Sequence, residues 1–120
     1  MEYFDISEFD SPDKIGSGEK MDKVVIDAAM TSTSSTRVPF KITSGYRTKE
    51  WNLKVGGRVG SSHCKGYAAD IYLPKSSRKR FLIINALLEV GLNRIGINFK
   101  GRFVHVDMDR SKDENVLWTY

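Results

Sequence analysis

The chain has 120 residues, 40% of them hydrophobic, with two Trp, five Tyr and six Phe. That is a single domain's length with apolar mass for one modest core, and it excludes a chain disordered from end to end. The 19 basic and 15 acidic residues leave a formal charge of +4, a mild excess that suits an anionic wall polymer or nucleic acid and equally an ordinary solvated surface.

The single cysteine, Cys64, excludes an internal disulfide and points to synthesis in the cytosol. The opening MEYFDISEFD is acidic and has no apolar centre, so it does not read as a signal peptide. No apolar run approaches the length of a membrane span.

In chain order, residues 1–18 read as irregular, with Phe4, Ile6 and Phe9 available for packing and turns at Ser11-Pro12-Asp13 and Gly16-Ser17-Gly18. A helix is predicted after Gly18, with Ser17 as N-cap and Met21, Val24, Val25, Ala28 and Ala29 as its apolar face. It should fray in the hydroxyl run Thr31–Thr36, a poor helix interior. Val38 to Thr43 reads as a short strand ending at Ser44-Gly45-Tyr46-Arg47, with a short helix over Thr48–Val55 and glycine breaks at Gly56, Gly57 and Gly60. Tyr67–Leu73 reads as a strand. Ser76–Val90 is the clearest helix, with Phe81, Ile84, Leu87 and Leu88 on its apolar side and Gly91 closing it. Leu92–Ile97 and Arg102–Met108 read as strands joined by a turn, and Val116-Leu117-Trp118 as a last short element. There is no internal repeat. The order predicts an α+β fold, a small and mainly antiparallel sheet flanked by helices, as one domain over 1–120.

The stretch SSHCKGYAAD holds His63, one of only two histidines; the other is His105. Side chains alternate along a strand, so Ala68, Asp70 and Tyr72 share one face and Ala69, Ile71 and Leu73 the other, apolar one. Gly66 can bend the histidine loop back over Asp70. Likewise Phe103, His105 and Asp107 share a face opposite Val104 and Val106. A catalytic zinc site takes three protein ligands and keeps a position for water. The alternation permits His63, Asp70 and His105 as ligands with Asp107 beside the water. It also fits a surface histidine in a loop and a half-buried histidine between valines. Cys64 reads as a small filler, because its neighbour His63 points the other way.

Ser61 to Asp70 matches the SxHxxGxAxD signature, and so resembles the zinc D-alanyl-D-alanine metallopeptidases, a family grouped with lysostaphin-type peptidases and the hedgehog signalling domain. Three further segments resemble that family in the same order: Ile42-Thr43-Ser44-Gly45-Tyr46-Arg47, then Val55-Gly56-Gly57, then Gly91 to Gly96 with Phe103-Val104-His105-Val106-Asp107. Together they span residues 38–109.

The resemblance implies one Zn2+ held by His63, Asp70 and His105. It implies that Arg47 binds substrate and polarises its carbonyl, and that Ser61 hydrogen-bonds substrate near a terminal carboxylate. Many members carry a glutamate general base three residues before the last histidine; here that position is Arg102, so Asp107 is expected as the base or as a partner of a ligand. The implied activity is hydrolysis of bacterial peptidoglycan stem peptides, as a D-Ala-D-Ala carboxypeptidase or as an endolysin-type endopeptidase cutting, for example, L-Ala-D-Glu. A phage-type enzyme of this kind would be made in the cytoplasm and act on the wall after release, as a monomer, without nucleic-acid or membrane partners. The competing expectation is a non-catalytic zinc-containing binding domain of the same fold. A nucleic-acid-binding reading has less to rest on, since the basic residues are scattered apart from Arg78-Lys79-Arg80.

Overall fold

The computed structural model describes residues 5–120. Of the three N-terminal apolar residues expected to pack, Phe9 is fully buried and Ile6 is largely exposed, while Phe4 lies outside the described residues. The helices are α1 (Lys23–Thr36), α2 (Lys49–Lys54) and α3 (Ser77–Glu89). The strands are β1 (Ile42–Ser44), β2 (Ala68–Tyr72), β3 (Arg94–Asn98), β4 (Phe103–Asp107) and β5 (Val116–Thr119). They form one five-stranded sheet in the order β1-β2-β4-β3-β5. All pairings are antiparallel except β3 with β5. The fold is α+β, as predicted from the element order.

α1 begins later and ends later than its sequence suggests. Its N-cap is Asp22, whose carboxylate accepts from Val24 N at 2.8 Å. Ser17 instead opens a 3-10 turn, where its hydroxyl accepts from Ser11 N and donates to the Lys14 carbonyl. The hydroxyl run does not fray. Ser32, Thr33 and Thr36 donate back to the carbonyls of Ala28, Ala29 and Ser32, so each hydroxyl is satisfied inside the helix. Ser32 also reaches the Ala86 carbonyl and ties α1 to α3.

Both helices lie on one face of the sheet. Val25 and Ala29 of α1 and Ile83 and Leu87 of α3 join Ala69, Ile71, Ile95, Val104 and Val106 of the strands in one core. Full burial of each Val, Ile or Leu side chain among them contributes roughly 1.5–3 kcal/mol. Val24, Phe81 and Leu88, expected on the apolar faces, are more than half exposed, because the buried stripe of α1 follows Val25, Ile26, Ala28 and Ala29 and that of α3 follows Ile83, Ala86 and Leu87.

The opposite face carries the polar residues. Register places Ser44 beside Asp70, Asp70 beside His105, His105 beside Gly96, and Gly96 beside Trp118. These five positions make one transverse row across all five strands. No helix among the described residues is long and apolar enough to cross a membrane.

Candidate metal centre

His63 sits in a 3-10 turn, Ser62–Lys65, directly before β2. Ser61 caps the turn by accepting from His63 N at 3.2 Å. Gly66 ends it at φ +76, where any Cβ would also overlap the Lys20 carbonyl. The chain thereby doubles back and lays the imidazole over Asp70. Asp70 and His105 are direct cross-strand partners. All three residues are at least nine-tenths buried, and one ligand atom from each lies within 4.8 Å of the others.

Hydrogen bonding decides which atoms face inward. His63 Nδ1 lies 2.7 Å from the Gly45 carbonyl, which can only accept, so this nitrogen carries the proton and Nε2 is the inward atom. His105 Nε2 lies 2.7 Å from Asp107 Oδ2, so it donates there and Nδ1 is the inward atom. In the neutral rings, both inward nitrogens are lone pairs. They approach Asp70 Oδ1 at 3.2 and 3.1 Å. Three buried acceptors thus converge with no donor among them, an arrangement that requires a cation or extra protons. Burial alone would raise the Asp70 carboxyl pKa; once the inward nitrogens of His105 and His63 carry protons, their hydrogen bonds and charge outweigh it and hold the group well below the usual carboxylate range. Two imidazole nitrogens and a carboxylate oxygen are a fitting donor set for zinc.

Asp107 lies behind His105, on the Nε2 side of the ring. Its Oδ1 accepts from Arg94 Nε at 2.8 Å and from Asp109 N at 3.0 Å. Burial pushes its carboxyl pKa up, and the bonds from His105 and Asp109 with the charge of Arg94 bring it below normal. Arg94 also donates to the Asp113 carbonyl. Trp118 packs against both His105 and Arg94, at 5.6 Å between rings and 5.5 Å from ring to guanidinium. It lies over Gly96, where a Cβ would overlap the indole.

Arg47 stands on the other side of Asp70. Its Nε donates to Ser44 Oγ at 3.1 Å, Nη1 to Asn52 Oδ1 at 3.2 Å and Nη2 to Asp70 Oδ2 at 3.4 Å. Ser61, His63, Asp70, Arg47, His105 and Asp107 all line one cleft of about 940 Å³.

Residues 8–107 match the family described as Peptidase M15. The chain belongs to the peptidase M15 family. It is a zinc metallopeptidase, as its resemblance implied. Comparison with curated proteins gave no match. In this M15 peptidase, β5 follows the matched residues and still supplies a wall of the cleft through Trp118 and Thr119, continued by Tyr120.

Several residues of the M15 site escaped sequence reading. Asn52 was read only as part of a short helix, and Trp118 only as part of a last element. Asp109, an acidic residue just past β4, is only 2% exposed. Its carboxylate takes the hydroxyls of Ser62 and Ser111 and the ammonium of Lys65, and it anchors the turn that bears His63. An acidic residue followed two positions later by serine was the available signal, since that spacing permits a local carboxylate turn. Cys64 is outside the converging trio, and burial raises its thiol pKa, the opposite of activation. Arg102 does not line the cleft; it stacks on Tyr72 and donates to its hydroxyl at 2.9 Å.

Proposed function

We propose that this metallopeptidase hydrolyses peptide bonds in the stem peptides of bacterial peptidoglycan, with zinc held by His63 Nε2, Asp70 and His105 Nδ1. The supporting observation is the convergence of three buried acceptors on one point of an open cleft. When bound there, zinc supplies Lewis acidity that acidifies a water and polarises a scissile carbonyl.

The chain's own residues bind and orient the substrate. Arg47 keeps N–H groups beyond those bonded to Ser44, Asn52 and Asp70, and these can receive the negative charge that develops on the carbonyl oxygen. The Ser61 hydroxyl accepts from His63 N, which leaves its own proton free for a substrate carboxylate or carbonyl. Arg47, Arg58, Arg94 and Lys112 all line the cleft, an electrostatic surrounding that favours a carboxylate-bearing peptide. Asp70 and Asp107 are the only acidic side chains lining it among the described residues. Because both oxygens of Asp107 are engaged, we assign it to orienting His105, the second of the two roles the sequence leaves to it, and not to accepting the proton.

The test is digestion of purified peptidoglycan and defined muropeptides, with products identified by mass spectrometry, beside chelated and zinc-restored controls. Zinc-dependent release of D-alanine establishes a carboxypeptidase, and an internal cut an endopeptidase. Bound zinc with no product from any wall type would overturn the proposal and favour a binding domain.

A further inference from the structure

Asn52 sits on α2 with 5% of its surface exposed. Its carboxamide orientation is unambiguous, since a guanidinium only donates and a backbone carbonyl only accepts. Oδ1 accepts from Arg47 Nη1 at 3.2 Å, and Nδ2 donates to the Arg58 carbonyl at 2.9 Å. Its own backbone carbonyl accepts from Gly57 N at 2.8 Å. Gly57 lies so close that a Cβ there would overlap the Asn52 carboxamide.

The segment held in this way is residues 55–60, one wall of the cleft. It stands away from the body of the protein. Gly56 and Gly60 both have φ +80 with open space about them, and Val59 is fully exposed. One side chain therefore bonds at the same time to a cleft arginine and to the exposed wall facing it.

We propose that Asn52 is a positioning residue that couples the 55–60 wall to the guanidinium of Arg47. An amide suits this place because it must accept from one partner and donate to the other; aspartate can do only the first and alanine neither. Without Asn52, Arg47 keeps only its bonds to Ser44 and Asp70, and the wall loses the side chain that pins the Arg58 carbonyl. The catalytic part of this inference rests on the function proposed above; the coupling itself does not.

The experiment uses the full chain loaded with zinc. N52A should bind zinc as the wild type does, exchange the amide hydrogens of Gly57 and Ser61, which bond to the Asn52 and Arg58 carbonyls, at least about tenfold faster, and lose about 10–100-fold in kcat/KM. In an R47A background, N52A should cost little further activity, since its effect passes through Arg47. N52D, which keeps the acceptor for Arg47, should retain most of kcat while its Gly57 and Ser61 amides still exchange faster. It also serves if N52A fails to fold. Unchanged exchange in these variants overturns the coupling whether or not the wild type hydrolyses stem peptides. An equal activity loss from N52A with and without Arg47 overturns the positioning role. A wild type that folds, binds zinc and cuts no stem peptide counts against the proposed function alone.

Discussion

Nε2 of His105 and Oδ2 of Asp107 are 2.7 Å apart, while Nδ1 of the same ring faces Asp70 at 3.1 Å. The ring stands between the carboxylate of Asp107 and the point where the acceptors converge. D107A should therefore weaken zinc binding about 10–100-fold, and saturating zinc should return part of the turnover. Competition with a chelator of known affinity, run beside kinetics at several zinc concentrations, checks this. Unchanged zinc affinity with turnover lost at every zinc level would make Asp107 the proton acceptor instead.

Zinc should also hold the fold. His63 precedes β2, Asp70 lies within it and His105 lies on β4, so an ion bound to all three clamps the turn and both strands. Zinc at 100 times its Kd is expected to add about 2.7 kcal/mol of stability. In a thermal melt the chelated protein should unfold earlier, and zinc should restore the midpoint. H63A should bind zinc poorly and lose most of that zinc-dependent rise.

Gly96 lies under Trp118 in the row that holds His105. G96A should push the indole away from both His105 and Arg94. The expected loss is about 1–3 kcal/mol in denaturant unfolding, with a change in Trp fluorescence. A variant as stable as wild type, with an unchanged spectrum, would mean that the indole can lift without consequence.

Asp109 gives a pH dependence with a definite sign. Burial alone would raise its pKa, but the hydrogen bonds from Ser111, Ser62 and Lys65 leave it far below the usual carboxylate range. A carboxyl with a depressed folded-state pKa contributes its full stability above the unfolded pKa, about 3.9 for Asp. That contribution is lost as pH falls from there through the lower folded value. D109N should cost on the order of 2 kcal/mol near neutral pH and flatten the acid limb of the stability curve. Urea midpoints from pH 7 down to 2 measure both effects.

The strand faces were readable because alternation is a local property. Ala69 and Ile71 against Asp70, and Val104 and Val106 against His105, sort themselves with no knowledge of partners. What depended on distant groups was not readable. Thr31–Thr36 looks like a poor helix until the hydroxyls of Ser32, Thr33 and Thr36 are seen to bond within the helix and Ser32 to meet α3. Asp109 looks solvated until Ser62 and Lys65 arrive from another segment. Asp107 stands two residues from His105 whichever nitrogen it meets, and only the folded ring shows that it is Nε2. The pairing of β5 with β3 is parallel and joins segments separated by the whole of β4, so no hairpin pattern announces it.

The row from Ser44 to Trp118 separates two kinds of inheritance. The converging acceptor atoms of Asp70 and His105 hang from adjacent strands of the sheet, where strand register alone sets their spacing. The cleft walls belong to the 55–60 segment and to β5, one a glycine-punctuated loop and the other an edge strand. A lineage could therefore rewrite either wall, and with it the choice of peptide, while the converging acceptors stay as they are.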